Sequence, residues 1–82
     1  MRGKMNLNFK KSIMKNTAST FIQYLDNNKT PGHQKVIGFT IEYGFVKIQF
    51  KVFPSIMEWL AICRVWSDVF EQKTSQLHIE KS

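Results

Sequence analysis

Lys35-Val36-Ile37-Gly38-Phe39-Thr40-Ile41-Glu42-Tyr43-Gly44-Phe45-Val46-Lys47-Ile48-Gln49-Phe50-Lys51-Val52 reads as a β-hairpin, and its reading decides the fold. Gly44 accepts the positive φ that a two-residue hairpin turn requires, so the turn falls on Tyr43 and Gly44. Facing residues of an antiparallel pair share a face. The turn therefore sets Ile41 against Val46, Phe39 against Ile48 and Ile37 against Phe50, six apolar residues in three pairs. The other face pairs Val36 with Lys51, Gly38 with Gln49, Thr40 with Lys47 and Glu42 with Phe45. A slip of one residue would turn the apolar set to the wrong side. Burying such side chains is worth roughly 1.5–3 kcal/mol each. A lone hairpin is marginal in water, so the rest of the chain must cover this face.

Upstream, Met5-Asn6-Leu7-Asn8-Phe9 alternates apolar and polar residues between Lys4 and Lys10, the period of a half-buried strand. A helix follows, with Ser12 as its cap and Ile13, Met14, Ala18, Phe21, Ile22 and Leu25 on one face. Asn27 and Asn28 suit its end, and Pro31-Gly32 breaks the chain before the hairpin. Lys10, Lys11 and Lys15 crowd the positive end of that helix dipole, an arrangement that opposes local stability and points to a partner.

Downstream, Phe53-Pro54 ends the hairpin. Ser55-Ile56-Met57-Glu58 has the form of a capping box, which starts a second helix over 55–72. Ile56, Trp59, Leu60, Cys63, Trp66 and Phe70 form its apolar stripe, widened by Met57, Ala61, Ile62, Val65 and Val69. Arg64 and Asp68 stand four apart and can pair. So much apolar surface exceeds what one small sheet needs, and Trp59, Trp66 and Phe70 are the expected contacts to a second subunit. Leu77 and Ile79 alternate with polar residues, as in a short edge strand.

The expected fold is α+β over a single domain, residues 1–82. Strand, helix, strand, strand, helix and a short C-terminal strand make a ferredoxin-like split βαβ. Both helices would lie on one face of an antiparallel sheet. Without the terminal strands, an αββα unit closed by dimerisation remains.

Twelve basic residues against six acidic give a net charge of +6, which favours nucleic acid, an acidic protein or an anionic surface as partner. The single cysteine excludes an intrachain disulfide framework and is the expected mark of a reducing, cytoplasmic setting. No apolar run is long enough to span a bilayer, and no signal peptide is read at Met1–Met5. Cys63 sits in the apolar stripe as a structural thiol, and neither His33 nor His78 has a metal-ligand neighbour in spacing. Neither metal, cofactor nor enzymatic activity is expected.

Tyr43-Gly44-Phe45-Val46-Lys47-Ile48 resembles the first ribonucleoprotein motif of RNA-recognition modules, and that resemblance would make Tyr43 and Phe45 base-stacking positions. It covers six residues. Ile41-Glu42 departs from the motif's basic residue and glycine, and Asn6–Phe9 lacks an outward aromatic, so it reads as a match of β-rich sequence rather than of family. Function is therefore expected from the sheet: a small regulatory protein binding RNA or single-stranded DNA through Lys4, Lys10, Phe45, Lys47 and Lys51. The alternative is a dimeric inhibitor or adaptor that uses the apolar surface of helix 55–72.

Overall fold

The computed structural model describes residues 2–82, with side chains from Met14 onward. Its elements are α1 (Arg2–Asn27), β1 (Val36–Glu42), β2 (Phe45–Phe50), α2 (Ile56–Arg64) and β3 (Leu77–Lys81). Short 3-10 turns at His33–Lys35 and Thr74–Gln76 lead into β1 and β3, and α2 continues into widened π turns over Val65–Val69. The fold is α+β, with a three-stranded mixed sheet ordered β1-β2-β3.

The hairpin forms as its residues dictate. Ile41 faces Val46, Phe39 faces Ile48, Thr40 faces Lys47 and Glu42 faces Phe45. Tyr43 and Gly44 take φ of 53° and 83°, the two positive values of a type I′ turn. One expected pair fails. The register shifts between Val36 and Gly38, so Val36 rather than Ile37 faces Phe50, and Ile37 is left half exposed. A bulge of this kind adds one residue to one strand. Beyond it the Lys51 N–H donates to the Lys35 carbonyl at 3.0 Å, in place of the expected Val36–Lys51 pairing.

The expected first strand is not present. Residues 5–9 lie within α1, which also runs through Ser12, so Ser12 caps nothing. Met5, Phe9 and Ile13 are four apart, a helical spacing that the shorter alternation concealed, and no proline interrupts residues 2–27. The ferredoxin-like order and the all-antiparallel sheet fall with it. The chain leaves β2, crosses through α2 and returns in the same direction, so β3 lies parallel to β2, with Val46 beside Leu77 and Ile48 beside Ile79. The C-terminal strand thus completes an αββαβ chain, and the αββα fallback is exceeded by one strand.

Val46, Ile48 and Phe50 are fully buried on one face of β2. Ala18, Phe21 and Leu25 of α1, Ile62 of α2, Trp66 and Leu77 complete the same core, so both helices cover that face. Phe21 meets Trp66 and Phe70 edge-on at 4.8 and 5.5 Å, joining α1 to the end of α2. Such pairs add about 0.5–1.5 kcal/mol each beyond area burial. At the end of α1, Thr30 N–H donates to the Leu25 carbonyl and Lys29 N–H to that of Asp26. Those two bonds, with Lys29 at φ 52°, make a Schellman stop.

Tyr43 is almost wholly exposed, so its ring stabilises nothing while its backbone bears a left-handed conformation that favours Asn or Gly. Tyr43→Asn is expected to raise stability by about 0.5–1 kcal/mol. Urea denaturation checks this, with an unchanged or lowered midpoint counting against the turn assignment.

Candidate interaction surface

The α2 entrance is fixed by a single carboxylate. Glu58 N–H donates to Ser55 Oγ at 3.1 Å, and Ser55 N–H donates back to Glu58 Oε1 at 2.7 Å. That is the capping box read from Ser55-Ile56-Met57-Glu58, worth about 0.5–2 kcal/mol for a capping hydroxyl in general. Lys35 Nζ, at the foot of β1, donates to the same Oε1 at 2.7 Å. Helix start and sheet are thereby clamped together. Gly32, at φ 90°, brings the α1–β1 connection against this point, where an added Cβ would stand 3.0 Å from the Glu58 Cβ. The Lys35 ammonium and the Ser55 N–H hold the Glu58 carboxyl below the usual carboxylate range.

This clamp presents an apolar surface to solvent. Phe53, Ile56, Met57 and Leu60 are 62%, 78%, 76% and 54% exposed. Ile56 and Leu60 are one helical turn apart and Met57 flanks them, so the three share one face of α2. Val52 extends the patch along the approach to the helix, and Arg64 follows Leu60 one turn later. Beyond Arg64 a cleft of about 430 Å³ opens between α2 and the end of α1, lined by Tyr24, Lys29, Thr30, Val65 and Asp68 among others. Arg64 forms no ion pair with Asp68, whose Oδ1 accepts from Ser67 Oγ. The width of the apolar stripe was legible in the sequence, but its exposed side was not. Trp66, expected at a subunit contact, is fully buried in its own chain, and its Nε1 donates to the Lys73 carbonyl at 3.0 Å. Trp59 packs on Phe50 at 6.1 Å and Phe70 on Tyr24 and Phe21. All three aromatics turn to the core, where their area is best used, and the smaller residues at 56, 57 and 60 face out.

The expected basic sheet face does not assemble either. Lys4 and Lys10 belong to α1 rather than to a strand of the sheet. Lys47 lies on the uncovered face but pairs with Glu42, diagonally across the hairpin, which raises its pKa. Glu80 of β3 adds negative charge nearby and accepts a bond from Gln49. Phe45 is 42% exposed and packs edge-on against His78 at 4.7 Å, and Lys51 lies exposed in the bend after β2. Tyr43 projects from the turn, away from any base-stacking row. Cys63 is half buried against the core, and burial pushes its thiol pKa up, away from nucleophilic use. Among the described residues no group of three or more His, Cys, Asp or Glu is placed to hold a metal ion, and no helix is long and apolar enough to cross a membrane.

Compared with known proteins, the chain matches no family model, no curated protein and no solved structure.

Because the folded Glu58 carboxyl titrates below its unfolded value, its stabilisation is present above the ordinary glutamate range and is lost as pH falls through the folded value. Glu58→Gln is therefore expected to melt below wild type at neutral pH and to converge with it in acid. Melting curves over an acid-to-neutral series decide this, and parallel pH profiles would discard the clamp.

Proposed function

We propose that this chain is a non-enzymatic interaction module that pairs with a second copy of itself through the outer face of α2. One observation carries the reading: Ile56, Met57 and Leu60 are more than half exposed on one face of the capped start of α2, and Phe53, just before it, is 62% exposed. Together they present apolar surface on the order of several hundred Å², at the upper end for a monomer. That approaches the ~800 Å² per partner of a standard interface once a polar rim is added. A stripe along one helix is self-complementary about a two-fold axis. Crossed antiparallel at Leu60, it lays the Arg64 stem over Ile56 of the second copy. Sedimentation equilibrium at tens of micromolar, a working range for a modest interface, is expected to find a dimer. Met57→Glu combined with Leu60→Lys is expected to give a monomer whose unfolding free energy shifts by no more than about 0.5 kcal/mol per exposed site. A monomeric wild type, or a dimeric double variant, overturns the reading.

Charge favours a second reading, binding of single-stranded nucleic acid. Five of the twelve cations fall in residues 1–15, ahead of the first acid at Asp26, while the remainder of the chain is nearly neutral. The anionic contact would then be made by α1, with Lys51 and Phe45 as outlying contacts. Fluorescence anisotropy with a labelled single-stranded oligonucleotide is expected to show affinity that falls steeply with salt. Lys10→Glu with Lys11→Glu should weaken it strongly and Lys47→Glu only slightly. Salt-independent or absent binding removes this reading.

A further inference from the structure

The two edges of the sheet differ in how they are guarded. β3 is short, Leu77-His78-Ile79-Glu80-Lys81, with ionisable groups at three of five positions. Charges and brevity are the usual defences of an edge strand against further pairing. β1 is longer, Val36-Ile37-Gly38-Phe39-Thr40-Ile41-Glu42, and carries no lysine, arginine or proline, with Glu42 alone charged at the turn.

The backbone groups on that edge follow from the register. In a two-residue turn the flanking pair, Glu42 and Phe45, is the hydrogen-bonded one. Ladder alternation makes Thr40–Lys47 and Gly38–Gln49 the next bonded pairs. Phe39 and Ile41 consequently aim their N–H and C=O groups away from β2, and among the described residues no strand lies on that side. A groove of about 300 Å³ runs beside these two residues, lined by Lys15, Phe39, Thr40 and Ile41. Lys15 is exposed and forms no ion pair among the described residues.

We infer that the open edge of β1 takes an extended, acidic peptide segment of a partner protein as a fourth strand. Backbone bonds to Phe39 and Ile41 would hold the segment, an apolar side chain would enter the groove, and a carboxylate would meet Lys15. This is strand addition, in which main-chain bonds supply affinity and alternate side chains supply selectivity. A second copy of β1 fits worse. Edge-to-edge pairing about a two-fold axis continues the sheet with both α1 helices on the same face. Lys15 of each copy would then approach the shared seam, with the other cations of residues 1–15 on the same helices. Like charges facing one another oppose that pairing, and the same field attracts an acidic strand.

The test uses the full chain and a short labelled peptide of valine, threonine and glutamate, with two derivatives. One is N-methylated at alternate amides, and the other has lysine for every glutamate. The acidic peptide is expected to bind, and each derivative to bind at least about tenfold more weakly, as loss of backbone bonds or charge attraction requires. Amide exchange should slow at Phe39 and Ile41 on binding, while Thr40 and Glu42, already in the ladder, change little. Lys15→Glu, an exposed site, should weaken the acidic peptide and strengthen the lysine one. Binding that survives N-methylation, unchanged exchange at Phe39 and Ile41, or no binding up to about millimolar peptide overturns the inference. Equal binding of the acidic peptide by Lys15→Glu overturns the assignment of an acidic partner. Neither set of results depends on whether α2 forms a dimer.

Discussion

The burial of Trp66 is the constraint on which the other parts of the molecule depend. Its ring lies at the meeting point of both helices, edge-on to Phe21 of α1 and stacked with Phe70. Its indole N–H has one partner, the Lys73 carbonyl, which ties the end of α2 to the segment entering β3. A buried indole without that partner would cost roughly 1–3 kcal/mol. The π turns at Val65–Val69 and the positive φ of Glu71 accommodate this geometry. They let the helix end while Trp66 stays inward and the chain turns back toward β2. The parallel position of β3 is therefore tied to how α2 terminates.

That inward demand also explains why α2 is apolar outside. The core face of the sheet offers Val46, Ile48 and Phe50, and the helix answers with Trp59, Ile62 and Trp66. At a π turn or an ordinary turn, only one side of a helix can face one sheet. The remaining apolar residues, Ile56, Met57 and Leu60, meet no such face among the described residues and stay more than half exposed. The capping box and the Lys35–Glu58 contact hold them in place at the capped start of the helix.

Local rules make the hairpin and the helix cap legible in the sequence. Turn chemistry and period-two pairing fixed Ile41–Val46 and Phe39–Ile48, and Ser55 with Glu58 marked the start of α2. Legibility ended where a pattern admits two periods. Met5, Leu7 and Phe9 alternate like a strand, yet Met5, Phe9 and Ile13 repeat like a helix, and no helix-breaking proline stands between them. The bulge at Val36–Gly38 carried no sequence signal beyond Gly38 itself. For the surface, the sequence revealed how much of α2 is apolar but not which side faces the sheet, since Ile62 is buried and Ile56, the same residue type, is exposed.

The sheet face illustrates a different kind of miss, one the sequence could have prevented. Once Glu42 is set opposite Phe45 and Thr40 opposite Lys47, Glu42 and Lys47 become diagonal neighbours on one face, within reach of long side chains. The ion pair that neutralises Lys47 was therefore contained in the register. The same arithmetic, carried one step outward, assigns the backbone groups of Phe39 and Ile41 to the open edge. Net charge then distinguishes that edge from the apolar side of α2. The cations on α1 would oppose a second copy there, whereas the charges at the start of α2, Lys35 and Glu58, pair with each other. The two surfaces thus differ in charge, cationic beside the open edge of β1 and paired at the apolar start of α2.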